Sequence, residues 1–290
     1  MKKTAFIVDS SSGIMNKQYQ DVYVLPLIVT VGANSTIKTY KDQEEISPKE
    51  VCELINQDKD VKTSQASFGE IISLIEKIYD QYDQIFVLPI PSKLSSSYNS
   101  WRMISEDYPK VKVFDNKDVS IGTRWTIEHL LELGKKKELN EQVIQSYLDE
   151  IKERRFGILF VYDLKHLKKG GRVNNVKSAL ASWLGLKIAI FLDDRGLNLF
   201  SSFKTFNKGL TESIKDFTNR HSSFDIKKVS KLGIINTTES LNDNDVNETI
   251  EHLKTLVNIK DIKQAKVEMP GVITTHTGPK IFAIYFEANK

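Results

Sequence analysis

Gln84-Ile85-Phe86-Val87-Leu88-Pro89-Ile90-Pro91-Ser92-Lys93-Leu94-Ser95-Ser96-Ser97-Tyr98-Asn99 joins two opposite kinds of sequence. The run from Ile85 to Ile90 is apolar throughout and reads as a buried strand, and it stops abruptly at a serine-rich loop. Beyond the loop, Tyr98, Trp101, Ile104 and Tyr108 recur at helical spacing, so the serines sit where a helix begins. Strand, polar loop and helix start in this order make an anion site. The free N–H groups of a first helical turn, the helix dipole and several hydroxyls can all bind a carboxylate or phosphate at the C-terminal end of a parallel strand. The plain structural reading is helix capping, for which one serine suffices.

Upstream, Thr4 to Val8 is a short apolar strand that ends in the polar loop Asp9-Ser10-Ser11-Ser12-Gly13. Val22 to Val31 reads as one strand interrupted by Pro26, and Thr36 to Tyr40 as an exposed hairpin arm. Ser47-Pro48-Lys49-Glu50 and Ser67-Phe68-Gly69-Glu70 each place a capping serine three residues before a glutamate and so start helices. Downstream come a short strand at Val111 to Phe114, a helix through Trp125 to Leu133 and another from Asn140 to about Arg155. Strand and helix alternate, which predicts a mostly parallel sheet covered on both faces.

After Arg155 the pattern changes. Strands are predicted from Ile158 to Val161, Lys187 to Leu192, Leu197 to Phe203, Val229 to Ile235, Gln264 to Met269 and Ile281 to Phe286. Asp193-Asp194-Arg195-Gly196 is a turn between two of them, so this half holds a hairpin and a mixed sheet. The expected architecture is α/β with two domains, residues 1–155 and 156–290, the first carrying the hydroxyl-rich loops.

Composition excludes several functions. The 290 residues are 40% hydrophobic and 27% charged, with 41 basic and 38 acidic residues, so no basic footprint marks a nucleic-acid partner. Cys52 is the single cysteine and lies on an amphipathic helix as a small buried hydrophobe. The five histidines have no metal-ligand spacing, and neither a metal nor a cofactor is expected. Nucleophile-elbow, Walker and dinucleotide glycine motifs are missing. No long apolar signal or membrane span is read, and a cytoplasmic protein is expected.

Four polar loops flanked by apolar structure remain: Thr63-Ser64-Gln65, Ser92 to Ser97, Lys168-Lys169-Gly170-Gly171-Arg172, and Thr274-Thr275-His276-Thr277-Gly278-Pro279. Together they supply hydroxyls, an imidazole and a guanidinium, an inventory suited to an oxyanion. In the same order, Asp9-Ser10, Thr63-Ser64-Gln65-Ala66-Ser67, Ser92-Lys93-Leu94-Ser95-Ser96-Ser97-Tyr98, Leu167-Lys168-Lys169-Gly170-Gly171-Arg172 and His276-Thr277-Gly278-Pro279 resemble the motifs of the DegV family of bacterial lipid-binding proteins. Ala66 stands where the family has proline, and Lys93, Ser96 and Ser97 stand where it has Gly, Gly and Thr.

The resemblance implies two α/β domains with a long-chain fatty acid in a tunnel between them, its carboxylate bound by Thr63 and Ser95. Ser64, Ser96, His276 and Arg172 would lie beside it. It also implies a non-catalytic, acyl-carrying subunit that presents the carboxylate to a fatty acid kinase. Burying roughly fifteen methylene and methyl groups at about 0.8 kcal/mol each gives a gross drive on the order of 12 kcal/mol, from which ordering and association subtract much. The alternatives are a Ser-dependent lipid hydrolase or acyltransferase using Ser95, His276 and Asp9, and a ligand-responsive regulator. Asp9 itself reads as a strand-end hydrogen-bond acceptor. The segment Val173 to Gly185, with Val176, Ala179, Leu180, Trp183 and Leu184 on one helical face, is a candidate lid for transient contact with a membrane surface.

Overall fold

Parallel pairing organises the first half of the chain. β1 (Thr4–Asp9) lies between β2 (Val22–Leu25) and β6 (Gln84–Leu88), and β7 (Val111–Val113) completes a four-stranded sheet in the order β2-β1-β6-β7, parallel throughout. The structure, a computed structural model, describes residues 2–32, 36–162, 165–174, 186–193, 196–222, 224–237, 239–240, 244–257 and 263–289.

Strand periodicity sorts β1 and β6 onto two cores. Ala5, Ile7, Ile85 and Val87 face α2 (Phe68–Tyr79) and α3 (Ser97–Ser105), where Ile71, Ile75, Ile78 and Trp101 meet them. Phe6, Val8, Phe86 and Leu88 face α4 (Ile121–Gly134) and α5 (Glu141–Ile151) through Ile127, Leu130, Ile144 and Leu148. Burial on both faces is why these strands read as unbroken apolar runs. α1 (Pro48–Asn56) and α2 begin with complete capping boxes, Ser47 with Glu50 and Ser67 with Glu70.

The Val22 to Val31 strand expected as one is two. Pro26 breaks it, and β3 (Ile28–Val31) leaves the parallel sheet to pair antiparallel with β4 (Lys38–Lys41) and β5 (Val61–Ser64). A proline cannot donate to a ladder, so the chain changes sheets there. This small sheet matters because β5 ends in Thr63 and Ser64.

The second half is a seven-stranded mixed sheet in the order β13-β12-β14-β8-β10-β11-β9. Its strands are β8 (Arg155–Val161), β9 (Val173–Asn174), β10 (Lys187–Asp193), β11 (Gly196–Phe203), β12 (Val229–Asn236), β13 (Lys263–Glu268) and β14 (Ile281–Ala288). β10 and β11 pair antiparallel, as the hairpin reading required, although residues 194 and 195 of the turn lie outside the described residues. α6 (Lys165–Gly170), α7 (Phe206–Arg220), α8 (Asn244–Leu256) and α9 (Gly271–Thr277) complete the described helices.

One face of this sheet packs on α7 and α8 through Phe160, Phe206, Leu210, Phe282 and Phe286. The other meets α4 through Ile121 and Trp125. α4 therefore packs against both sheets, and buried Arg155 fastens it by donating to Asp118 (2.8 Å), the Gly122 carbonyl (2.8 Å), Thr126 (2.8 Å) and Glu287 on β14 (2.5 and 2.9 Å). The candidate lid is described only at its start, where Val173 and Asn174 form a short strand beside β11; residues 175–185, including Trp183, lie outside the described residues. Among the described residues, no helix is long and apolar enough to cross a membrane.

Candidate functional site

Thr63, Ser64, Ser95, Ser96, Arg172 and His276, all expected beside one another, line a single cavity of about 330 Å³. Four elements deliver them. Thr63 and Ser64 end β5, Ser95 and Ser96 precede α3, Arg172 follows α6, and His276 stands in the last turn of α9.

α9 is a short buried helix rich in threonine, which would leave hydroxyls without partners were they not bonded back along it. Thr274, Thr275 and Thr277 each donate to the carbonyl four residues earlier, and Gly278 ends the helix at φ +96°. His276 then packs on α6 so closely that a Cβ on Gly170 would lie 2.9 Å from its Nδ1. α6 is tied in turn to the end of the small sheet by the Lys169–Asp60 ion pair at 2.8 Å.

His276 Nε2 lies 2.6 Å from Thr63 Oγ1. Burial first, and the Arg172 guanidinium second, push the imidazole down to about 4, so it is neutral at pH 7. In the Nε2–H tautomer it donates to the Thr63 oxygen and leaves the Thr63 hydroxyl proton free for the cavity; the Nδ1–H tautomer reverses that bond. Ser95 is arranged the same way: its Oγ accepts the Ser97 N–H at 3.2 Å, which occupies the acceptor side and leaves the O–H to donate. Two hydroxyls presented in this manner are what a carboxylate needs, since it accepts and never donates.

The remaining predicted residues take lesser places. Ser64 is exposed at the rim. Ser96 donates to Gln65 at 3.2 Å and makes no side-chain cap on α3, so the capping reading fails for it. Arg172 is exposed, with one guanidinium nitrogen anchored on the Gly170 carbonyl at 2.8 Å. The loop from Ser92 to Ser97, which contains no glycine, keeps negative φ throughout. Ser92 belongs to the scaffold, bound to Asp115 at 3.0 and 2.5 Å.

Gln65, read from the sequence only as part of a polar loop, holds the Ser92 to Ser97 loop to α3 through Ser96 and Ser100. Sequence reasoning missed Leu94, Leu197 and Ile273, which line both this cavity and an adjoining one of about 40 Å³ whose walls are almost wholly apolar. Leu94, apolar in the middle of a polar loop, was the available signal.

The hydrolytic triad is not assembled. Asp9 accepts from Ser11 (2.5 and 3.0 Å) and from the Ile90 amide (2.6 Å), and His276 is bonded to Thr63 rather than to Asp9 or Ser95. Burial raises the Asp9 carboxyl to about 6 against those hydrogen bonds.

A second buried carboxylate, Asp42, lies under the start of α9, where a Cβ on Gly271 would fall 2.7 Å from its Oδ1. Burial raises it to about 7, opposed by Ser10 and the Val272 amide, which lie near without forming well-shaped hydrogen bonds, and reinforced by Asp9. A raised carboxyl stabilises the fold below its unfolded pKa and loses that contribution as pH climbs toward 7. Asp42→Asn should therefore gain stability over the parent between pH 4 and pH 7, by a few kcal/mol on the order-of-magnitude scale of such shifts. Melting temperatures across that range check it, and a difference independent of pH would contradict the assignment.

A family model described as "Uncharacterised protein, DegV family" matches residues 3–289. A DegV domain-containing protein of Mycoplasma pneumoniae is 31% identical over 97% of each chain. Among solved structures, a DegV family protein from Thermus thermophilus described by its fatty acid binding superposes with a TM-score of 0.83 at 22% identity, covering 99% of this chain and 100% of that one. The Fatty Acid Kinase B3 protein of Streptococcus pneumoniae, solved loaded with linoleic acid, superposes at 0.76 with 13% identity over 99% and 100% of the chains. At these identities the structural likenesses establish the fold.

Proposed function

The chain belongs to the DegV family, and on that premise we propose that it binds a long-chain fatty acid and presents its carboxylate to the catalytic subunit of a fatty acid kinase. One observation carries the reading: the cavity lined by Thr63, Ser95, His276 and Arg172 adjoins an apolar cavity across the shared side chains Leu94, Leu197 and Ile273. A polar head site opening onto an apolar one suits an amphiphile with a single anionic end. The linoleic acid in the kinase B3 protein of Streptococcus pneumoniae supports the ligand class, and that protein's name supports the partner.

In this reading Thr63 and Ser95 donate to the carboxylate and neutral His276 orients Thr63. Arg172 stands in the open and holds charge on the phosphate side, where its planar fork suits a phosphoryl group. The division into residues 1–155 and 156–290 belongs to the same proposal, supported by the seven strands of the large sheet all starting at or after Arg155. So do a cytoplasmic location and exchange of the acid by transient contact with a membrane surface.

Reconstitution tests the whole. Delipidated protein is titrated with linoleic acid, with and without anionic vesicles, and then supplied with the kinase subunit and ATP. Saturable binding, faster exchange with vesicles and ATP-dependent acyl phosphate are expected, and Arg172→Ala should keep the binding while losing most of the acyl phosphate. Absence of binding contradicts the reading, exchange indifferent to vesicles removes the membrane step, and parent-level acyl phosphate from Arg172→Ala removes that residue's role.

A further inference from the structure

β14 continues directly from the site, since His276 stands in the last turn of α9 and Ile281 opens the strand only a short turn later. Its odd-numbered residues share one face of the large sheet. There β14 pairs with β8 in the rows Ile281 with Val161, Ala283 with Leu159, Tyr285 with Gly157, and Glu287 with Arg155. The first three rows are apolar and the fourth is a buried ion pair, so the face changes character in a single step. From the first row to the third is four residues of strand, roughly 14 Å.

Tyr285 stands at that step. It lies opposite Gly157 on β8 and Gly233 on β12, and a Cβ on Gly157 would fall 2.5 Å from its ring, one on Gly122 of α4 2.9 Å. The missing side chains form a slot that holds the ring flat against the sheet. Part of the ring borders the apolar cavity, together with Leu159 and Ala283. Among the described residues its buried hydroxyl forms no well-shaped hydrogen bond; the Val119 amide lies near it, and it feels the charges of Asp118 and Arg155. The side chain thus separates an apolar space from a charged one, as an aromatic ring with a polar tip can.

We propose that Tyr285 is the gauge of acyl-chain length: its ring closes the far end of the apolar cavity, and a chain long enough to pass it would meet the desolvated Arg155–Glu287 pair. Such a chain would have to displace charges that have lost their water and are fixed in place by one another and by Asp118 and Lys231. The inference rests on the fatty-acid reading above and adds the residue that sets its selectivity.

The test is competition binding with saturated acids from lauric to arachidic on the parent protein and three variants. Tyr285→Leu shortens the plug and should move the preferred acid to a longer one, by about tenfold in the ratio of affinities for the longer and the original acid. Tyr285→Phe keeps the ring and should keep the parent's preference. Ala283→Val narrows the same face one row earlier and should move the preference to shorter acids, so the proposal stays exposed if Tyr285→Leu does not fold. A parent that binds with a clear optimum, beside Tyr285→Leu or Ala283→Val with that same optimum, overturns the gauge alone. A parent that binds none of the acids overturns the fatty-acid reading, and the gauge with it.

Discussion

Thr63→Ala combined with Ser95→Ala is expected to weaken fatty acid binding by two to four orders of magnitude while leaving the fold intact. A hydrogen bond to a charged group contributes about 1.5–3 kcal/mol, so two of them are worth about 3–6 kcal/mol, and each 1.4 kcal/mol is a factor of ten. The geometry places the loss on the hydroxyls themselves. The Ser97 amide donates to Ser95 Oγ, and in the Nε2–H tautomer His276 donates to Thr63 Oγ1, which leaves both hydroxyl protons for an anionic head. Thr63→Ser keeps the donor and should bind within a few fold of the parent. Because the removed groups serve one carboxylate, the single variants need not add to the double. Isothermal titration with a long-chain acid measures the effect, and a double variant within tenfold of the parent would remove both residues from the head site.

The largest expected effect on stability is at Arg155. Its side chain is 1% exposed and donates to Asp118, Glu287, the Gly122 carbonyl, Thr126 and Tyr147. The two carboxylates respond differently to it. For Asp118 burial outweighs the attraction and the carboxyl rises above its usual range; for Glu287 burial is outweighed by Arg155 and Lys231 together, and the carboxyl falls. Replacing Arg155 with methionine roughly keeps the volume, strands Asp118 and leaves Glu287 paired with Lys231, which costs about 3–5 kcal/mol for a buried pair broken on one side. The loss should shrink as pH falls and the stranded carboxyl takes up a proton. Lysine should rescue little, since a point charge cannot serve five acceptors spread around a planar fork. Urea denaturation at pH 7 and pH 5 checks this, and a loss below 1 kcal/mol at pH 7 would contradict it.

The legible parts of the fold were those whose physics is local. β6, β8, β12 and β14 are buried along nearly their whole length, so they read as apolar runs, and α1 and α2 announce themselves through capping boxes that close as expected. What was not legible depends on partners distant in sequence. Nothing in Val22 to Val31 says that the residues after Pro26 join another sheet, because sheet membership is decided by which edge is free. Asp42 sits in the polar stretch Lys41 to Glu45 and looks like part of a solvated turn; only the approach of α9, more than 200 residues later, buries it. At the site, the residue types could be read from the loops and the resemblance. Their hydrogen-bond roles could not, since the Thr63–His276 contact spans 213 residues.

In the proposed complex one cavity holds a fatty acid head between Thr63 and Ser95, with the tail leading past Leu94, Leu197 and Ile273. A crystal structure of the protein grown with linoleic acid tests it most directly. A carboxylate within hydrogen-bonding distance of both Thr63 Oγ1 and Ser95 Oγ, with the acyl chain running toward Tyr285, is the expected result. A carboxylate bound elsewhere, or a cavity that stays free of acid at saturating concentration, would contradict it.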